Sequence, residues 1–286
     1  MSSFQFPTCT PESLALATGD IPALAFIISS IQNMLDNTDT TITDVGDLLR
    51  LDASLSARVL TISNSVHFGG ETRCNTIEDA LNRVGFREVY RLVTLIASSA
   101  IVAAPLPAYG LSAEQAWHHS VGCAIGAERM ALRFGENPSV AYTIGLLHAI
   151  GRQPINTFLQ AQCPEMIMED QGVPGHFSNE ERELLGFTHE KVSAALLHQW
   201  KFPAVIVDPL LILSDSQIVT GPSVQMRDLV DLSRLLYDCS FTLKGQSLPW
   251  AIEAKMDIAG FSKGDFRELG AELHEELERA IQISHY

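Results

Sequence analysis

The 286-residue sequence predicts an all-α protein built as a two-lobed helical bundle, and three observations carry that expectation. Apolar residues recur at the helical spacing through almost every segment, and convincing runs of alternation are absent. Residues that start and stop helices fall where that periodicity begins and ends. A Pro-rich stretch, APLPAYGLS at 104–112, interrupts the pattern and marks a lobe boundary. The expected organisation is an N-terminal helical lobe over 1–108, a second lobe over 109–240, and C-terminal amphipathic helices over 241–286. The two lobes are expected to share one interface.

Taken in order, TDVGDLLRLDASLSARVLTISNS (43–65) holds two short helical patterns, with Asp52 placed to cap the second. SNS at 63–65 and FGG at 68–70 read as a helix end, and Asn64 is expected to hydrogen-bond across the lobe interface. TIEDALNRVGFREVYRLVTLIASSAIVAA (76–104) gives two more helices, split near Gly85. LSAEQAW offers Ser112 and Gln115 as a capping box, and the helix it opens runs to Gly135. NPSVAYTIGLLHAIG starts with Asn137 as cap and Pro138 at the first helical position, and closes at Gly151. SNEERELLG repeats the logic with Ser178, Glu181 and Gly186, and Glu181 and Glu183 read as acidic groups favouring the helix dipole. THEKVSAALLHQWKFP starts at Thr188 and must stop before Pro203. SKGDFRELGAELHEELERAIQ (262–282) mixes charge signs along an amphipathic closing helix. Trp117 and Trp200 sit on apolar faces as core anchors, while His67 and His198 are expected to be partly exposed.

Composition narrows the function. Hydrophobic residues form 46% of the chain, enough for a sizeable core. The net charge of −15 argues against a general nucleic-acid binder, because phosphate contacts need a basic face. Arg83, Arg87 and Arg91 recur at spacing four, and read as a solvated helix face paired with Glu88 and its neighbours. Five scattered cysteines with no C-x-x-C pair suit a reducing cytoplasm. Residues 92–113 carry no charge, but Pro105, Pro107 and Gly110 break them well short of the roughly 20 apolar residues a membrane span needs. No signal peptide is read at the start.

Three histidines fall on or beside apolar stripes of consecutive helices: His119 in WHHSVG, His148 in LLHAIG and His189 in GFTHEKV. Three inward imidazoles could converge on zinc, iron or nickel. The opposing reading is three separate core histidines, each hydrogen-bonded to backbone or water, and spacing alone favours it.

The blocks LLRLDASLSARVLTISNSVHFG, TIEDALNRVGFREVYRLV, AWHHSVGCAIGAERMALRFG, GLLHAIGR and GFTHEKVSAALLHQWKFP follow one another in an order that resembles the HDOD family. These are bacterial HD-related output domains, relatives of the HD-GYP cyclic-dinucleotide phosphodiesterases. The resemblance spans roughly residues 20–215 and implies a second lobe like an HD domain. It also implies how the metal site of HD hydrolases maps here. His119 and His148 match the first histidine and the histidine of the His-Asp pair, and His189 matches the next. The aspartate of the pair is replaced by Ala149. The downstream histidine pair falls at Leu213 and Ser214, and the closing aspartate near Ser233 and Arg234. The Gly-Tyr-Pro signature is missing, TGPS at 220–223 being the nearest fragment.

The expectation is therefore a non-catalytic signalling or regulatory module, cytoplasmic, acting by protein-protein or ligand binding, with no cofactor, no metal and no catalytic residue. His119, His148 and His189 would form a vestigial metal or ligand pocket. Its partner would be a signalling protein such as a response regulator or a cyclic-dinucleotide protein, with neither nucleic acid nor membrane. The alternative is a divergent metal-dependent phosphohydrolase acting on a nucleotide or cyclic dinucleotide.

Overall fold

The computed structural model describes residues 9–19, 22–35, 37, 39–65, 68, 73–168, 176–213, 222–242 and 262–284. His67, Ser214, the glycines at 69 and 70, and residues 220 and 221 lie outside them. The described residues are helical throughout, with one isolated bridge between Leu106 and Leu111 as their only β pairing. None of their helices is long and apolar enough to cross a membrane. The chain forms two compact units, one of residues 1–20 and 102–277, the other of residues 21–101 and 278–286.

After α1 (Pro11–Ala17), which belongs to the larger unit, the smaller unit contains α2 (Ala23–Leu35), α3 (Ile42–Leu49), α4 (Ala53–Ser63), α5 (Ile77–Val84) and most of α6 (Phe86–Val102). Its core joins Ile31, Leu49, Val59, Leu81, Val89 and Val93, so each helix contributes its apolar stripe. Polar side chains set the helix starts. Thr41 and Thr76 form capping boxes with Asp44 and Asp79, and Asp52 accepts from the Leu55 amide at 2.9 Å. Asn64 bonds within this unit rather than across an interface. Its amide closes on both the N–H and the C=O of Cys74, at 2.8 and 2.9 Å. Arg83 does not share a helix face with Arg87 and Arg91. Gly85, at φ +89°, ends α5 after Arg83, and α6 carries the other two on a new axis.

The larger unit opens with α1 (Pro11–Ala17), which packs on α9 and α11 rather than with the helices that follow it in sequence. A 3-10 turn (Pro107–Tyr109) leads to α7 (Ala113–Phe134), α8 (Pro138–Leu147), α9 (Arg152–Gln162), α10 (His176–Leu185), α11 (His189–Gln199), α12 (Ala204–Leu213) and α13 (Pro222–Tyr237). A π turn (Asp238–Thr242) extends α13, and α14 (Lys263–Ser284) follows, its last turns grouped with the smaller unit. Ser112 and Gln115 cap α7 reciprocally, and Gly135 ends it in the left-handed conformation. Asn137 caps α8 ahead of Pro138. Helix α11 stops with Lys201 at φ +58°, the only non-glycine residue with a positive φ among those described.

Helices α7 and α8 approach closely because Gly145 has no side chain. A Cβ there would lie 2.7 Å from the Cys123 carbonyl and 2.8 Å from the Ala124 Cα. Helix α13 also packs on α7, where Gly126 faces Ser233. Trp117 and Trp200 are buried, and His198 is exposed. Two expectations fail on α10. It begins two residues before Ser178, which is therefore no cap, and Glu181 lies inside the helix rather than in its first turn.

Candidate functional site

The site grows from the short connection between α8 and α9. His148 follows the last residue of α8, and its Nδ1 lies 2.7 Å from the Gly145 carbonyl. A carbonyl only accepts, so Nδ1 carries the proton and Nε2 keeps its lone pair. That Nε2 is buried without a hydrogen-bond partner. The connection is fixed from α11 by Ser193, whose hydroxyl donates to the His148 carbonyl at 2.6 Å and accepts from the Gly151 amide at 2.8 Å. Gly151 leaves no room for a side chain, since a Cβ would run into the His189 carbonyl and come within 2.6 Å of the Ser193 nitrogen.

The three histidines are brought together by this packing. The His119 and His148 ring centroids are 5.2 Å apart, and those of His148 and His189 are 6.4 Å apart. Cys123, one turn along α7, places its sulfur 3.8 Å from His119 Nε2. Ligand atoms of His119, Cys123 and His148 lie within 4.8 Å of one another. Tyr237 stands edge-on to His119 at 5.0 Å, with its hydroxyl 2.7 Å from His118 Nδ1.

Around His189 lies a charged cluster that sequence reasoning did not assemble. Glu181 on α10 is fully buried and accepts from the His189 amide at 2.6 Å and from the Tyr109 hydroxyl at 2.7 Å. Its carboxylate also meets His189 Nδ1 at 2.8 and 3.0 Å. Glu183, its expected companion, is exposed and takes no part. On the far side of the ring, His189 Nε2 lies 3.3 Å from Glu190 Oε1 and 3.4 Å from Arg152 Nη2. Glu190 Oε1 accepts from Arg234 Nη1 and from the Ser178 hydroxyl, both at 2.9 Å. The Arg152 guanidinium is cradled over Phe177 and Tyr109, 5.2 and 5.9 Å from their ring centroids.

Burial and these charges set the protonation states. Burial, then the Arg234 and Arg152 guanidiniums, hold His148 well below the usual histidine range. Burial and Arg152 do the same to His119. Burial pushes the Cys123 thiol well above its ordinary value. Burial would raise the Glu190 carboxyl, but His189 and Arg234 outweigh it and keep the group ionised. Ala149 is buried and contributes only a methyl group. It lines a cavity of about 10 Å³ with Ser120, Ile150 and Arg152, the size of one water. Leu213 is an apolar, half-buried residue at the end of α12.

Residues 21–215 match the HDOD domain, more than half of the chain. The chain belongs to the HDOD family. Solved structures share the HDOD fold at low identity. An HDOD domain protein with unknown function from Geobacter sulfurreducens superposes with a TM-score of 0.65 at 23% identity, covering 94% of this chain and 95% of that one. A protein carrying the name "Putative phosphohydrolase" from Shewanella amazonensis SB2B gives a TM-score of 0.64 at 22% identity, covering 96% and 97%. An uncharacterized protein of Treponema pallidum (strain Nichols) is 26% identical over 206 residues, or 69% of this chain. This HDOD chain spans only 38% of that relative's length.

Glu190, Arg152, Ser193 and the role of Glu181 were missed, although two of them had local signals. Glu190 directly follows His189, and Arg152 closes the GLLHAIGR block.

Proposed function

We propose that this HDOD protein is a non-catalytic signalling module of the cytoplasm, acting by binding a partner protein and using neither metal nor cofactor. The observation that carries the reading is the Arg234 guanidinium seated on Glu190 beside His189 and His148. A hydrolytic metal of the HD type needs carboxylate ligands to hold it and to activate its bound water. Here Ala149 supplies no carboxylate, Glu190 is matched by the Arg234 guanidinium, and Glu181 is taken up by the His189 amide and ring and the Tyr109 hydroxyl. Of the two donor clusters, one has Glu190 held by Arg234, and the other offers two neutral imidazoles and a protonated thiol, a set poorly suited to activating a phosphate ester.

The proposed partner is a signalling protein, such as a response regulator or a cyclic-dinucleotide protein. All five cysteines are free, which fits a reducing compartment. Two donor clusters favour the phosphohydrolase alternative: His119, Cys123 and His148, and Glu181, His189 and Glu190. Elemental analysis of protein purified without chelator, followed by hydrolysis assays on nucleotides and cyclic dinucleotides with added Mn²⁺, decides between them. The expected result is no stoichiometric metal and no turnover. About one equivalent of metal that a His148→Ala variant loses, together with turnover, would overturn the proposal.

A further inference from the structure

We infer that the Arg234 guanidinium stands in for a metal ion, and that removing it turns this pocket into a divalent-cation site. The inference rests on the reading of the wild-type pocket as metal-free. Charge and geometry both support it. Glu190 is 2% exposed at its side chain and places one carboxylate oxygen on three partners: Arg234 Nη1, the Ser178 hydroxyl and the His189 ring. Its other oxygen, Oε2, is buried with no hydrogen-bond partner. His148 Nε2 is a second buried lone pair without one. Glu181 lies behind His189 Nδ1, the arrangement that orients a metal-binding imidazole through its second nitrogen. A carboxylate and an imidazole backed by a second carboxylate are thus gathered in one buried place, next to the His119, Cys123 and His148 group.

What such donors lack for a cation is uncompensated negative charge. Arg234 sits directly on Glu190, and Arg152 reaches the His189 ring. A divalent ion entering here meets two fixed guanidiniums in a medium of low dielectric constant. Removing Arg234 leaves Glu190 ionised and buried without its counter-charge, a state that must bind a cation or a proton. With imidazole nitrogen beside the carboxylate, zinc suits the vacancy in charge and in ligand type.

The test is Zn²⁺ binding to untagged wild type, Arg234→Met and Arg234→Lys, by titration calorimetry and elemental analysis at pH 8. Arg234→Met is expected to take up about one equivalent, at least tenfold more tightly than wild type. Its Tm should rise by roughly 5 °C or more with zinc in large excess over Kd. Arg234→Lys keeps the charge and should bind none. Adding Glu190→Gln to Arg234→Met should abolish the uptake. If Arg234→Met does not fold alone, it is refolded from urea with and without Zn²⁺; recovery only with zinc supports the inference, and recovery in neither overturns it. A folded Arg234→Met that takes up no zinc overturns the inference and leaves the proposed function standing. Zinc bound stoichiometrically by the wild type overturns both.

Discussion

His148 is a histidine whose proton is assigned by its surroundings. The Gly145 carbonyl claims the proton on Nδ1, and burial with two guanidiniums bars a second one from Nε2. The folded His148 therefore stays neutral where an unfolded histidine, with a pKa near 6.5, takes up a proton. Because the folded value is depressed, its contribution to stability is complete above about pH 6.5 and is lost as pH falls below it. The slope is about 1.4 kcal/mol per pH unit for one such group. Glu190, also depressed, extends the loss below about pH 4.3, where unfolded glutamates protonate. His148→Asn keeps an amide donor for Gly145 but does not titrate. Urea unfolding between pH 7 and 5 should show the variant's pH slope reduced by about one proton; equal slopes would show that His148 protonates in the folded state. Much at this scale was legible in the sequence, since capping residues act through neighbours three positions away, as Ser112 and Asn137 do. Glu190 was not. In sequence it is an ordinary acidic first-turn residue, and only the arrival of Arg234 from α13, 44 positions later, makes it the centre of a network.

At the scale of elements, the site depends on how closely the α8–α9 connection can approach α11. Ser193 and Gly151 set that distance, one by two hydrogen bonds and the other by its missing side chain. Gly151→Ala would force a methyl group against the His189 carbonyl and the Ser193 nitrogen, backbone atoms that cannot swing aside. The expected cost is about 1–3 kcal/mol, with His189 displaced from Glu181. Thermal unfolding reads the first effect, and the ¹⁵N shifts of the His189 ring read the second. An unchanged Tm would mean the connection is softer than its packing implies. The sequence placed the end of α8 at Gly151, but α8 ends at Leu147 and Gly151 directly precedes α9. The closeness of Gly151 to α11 is a tertiary fact, invisible to periodicity. The same limit applies to Ser178, whose hydroxyl is engaged by Glu190 from α11 rather than by its own helix start.

For the whole molecule, charge is the property that acts at a distance. At −15 the chain repels polyphosphates, and its three recurrent arginines are split between two helices and so form no single stripe. Fluorescence anisotropy with a 20-base-pair duplex at 50 mM salt should therefore show no saturable binding; a steeply salt-dependent isotherm would reveal a basic surface not evident in these helices. The helical class followed from periodicity because nearly every helix carries a continuous apolar stripe. The grouping of α1 with α9 and α11 did not, because no local pattern records which distant helix a short segment will pack upon.

Lys201 offers a practical opening for all of these experiments. A side chain held at φ +58° is less comfortable there than glycine, and the backbone already makes the turn. Lys201→Gly should raise stability by about 0.5–1 kcal/mol. Its effect should add to changes at distant sites. A chain sturdier at the end of α11 would serve as a tolerant parent in which the pocket's charges can be altered one at a time, with less risk that each alteration is lost to unfolding.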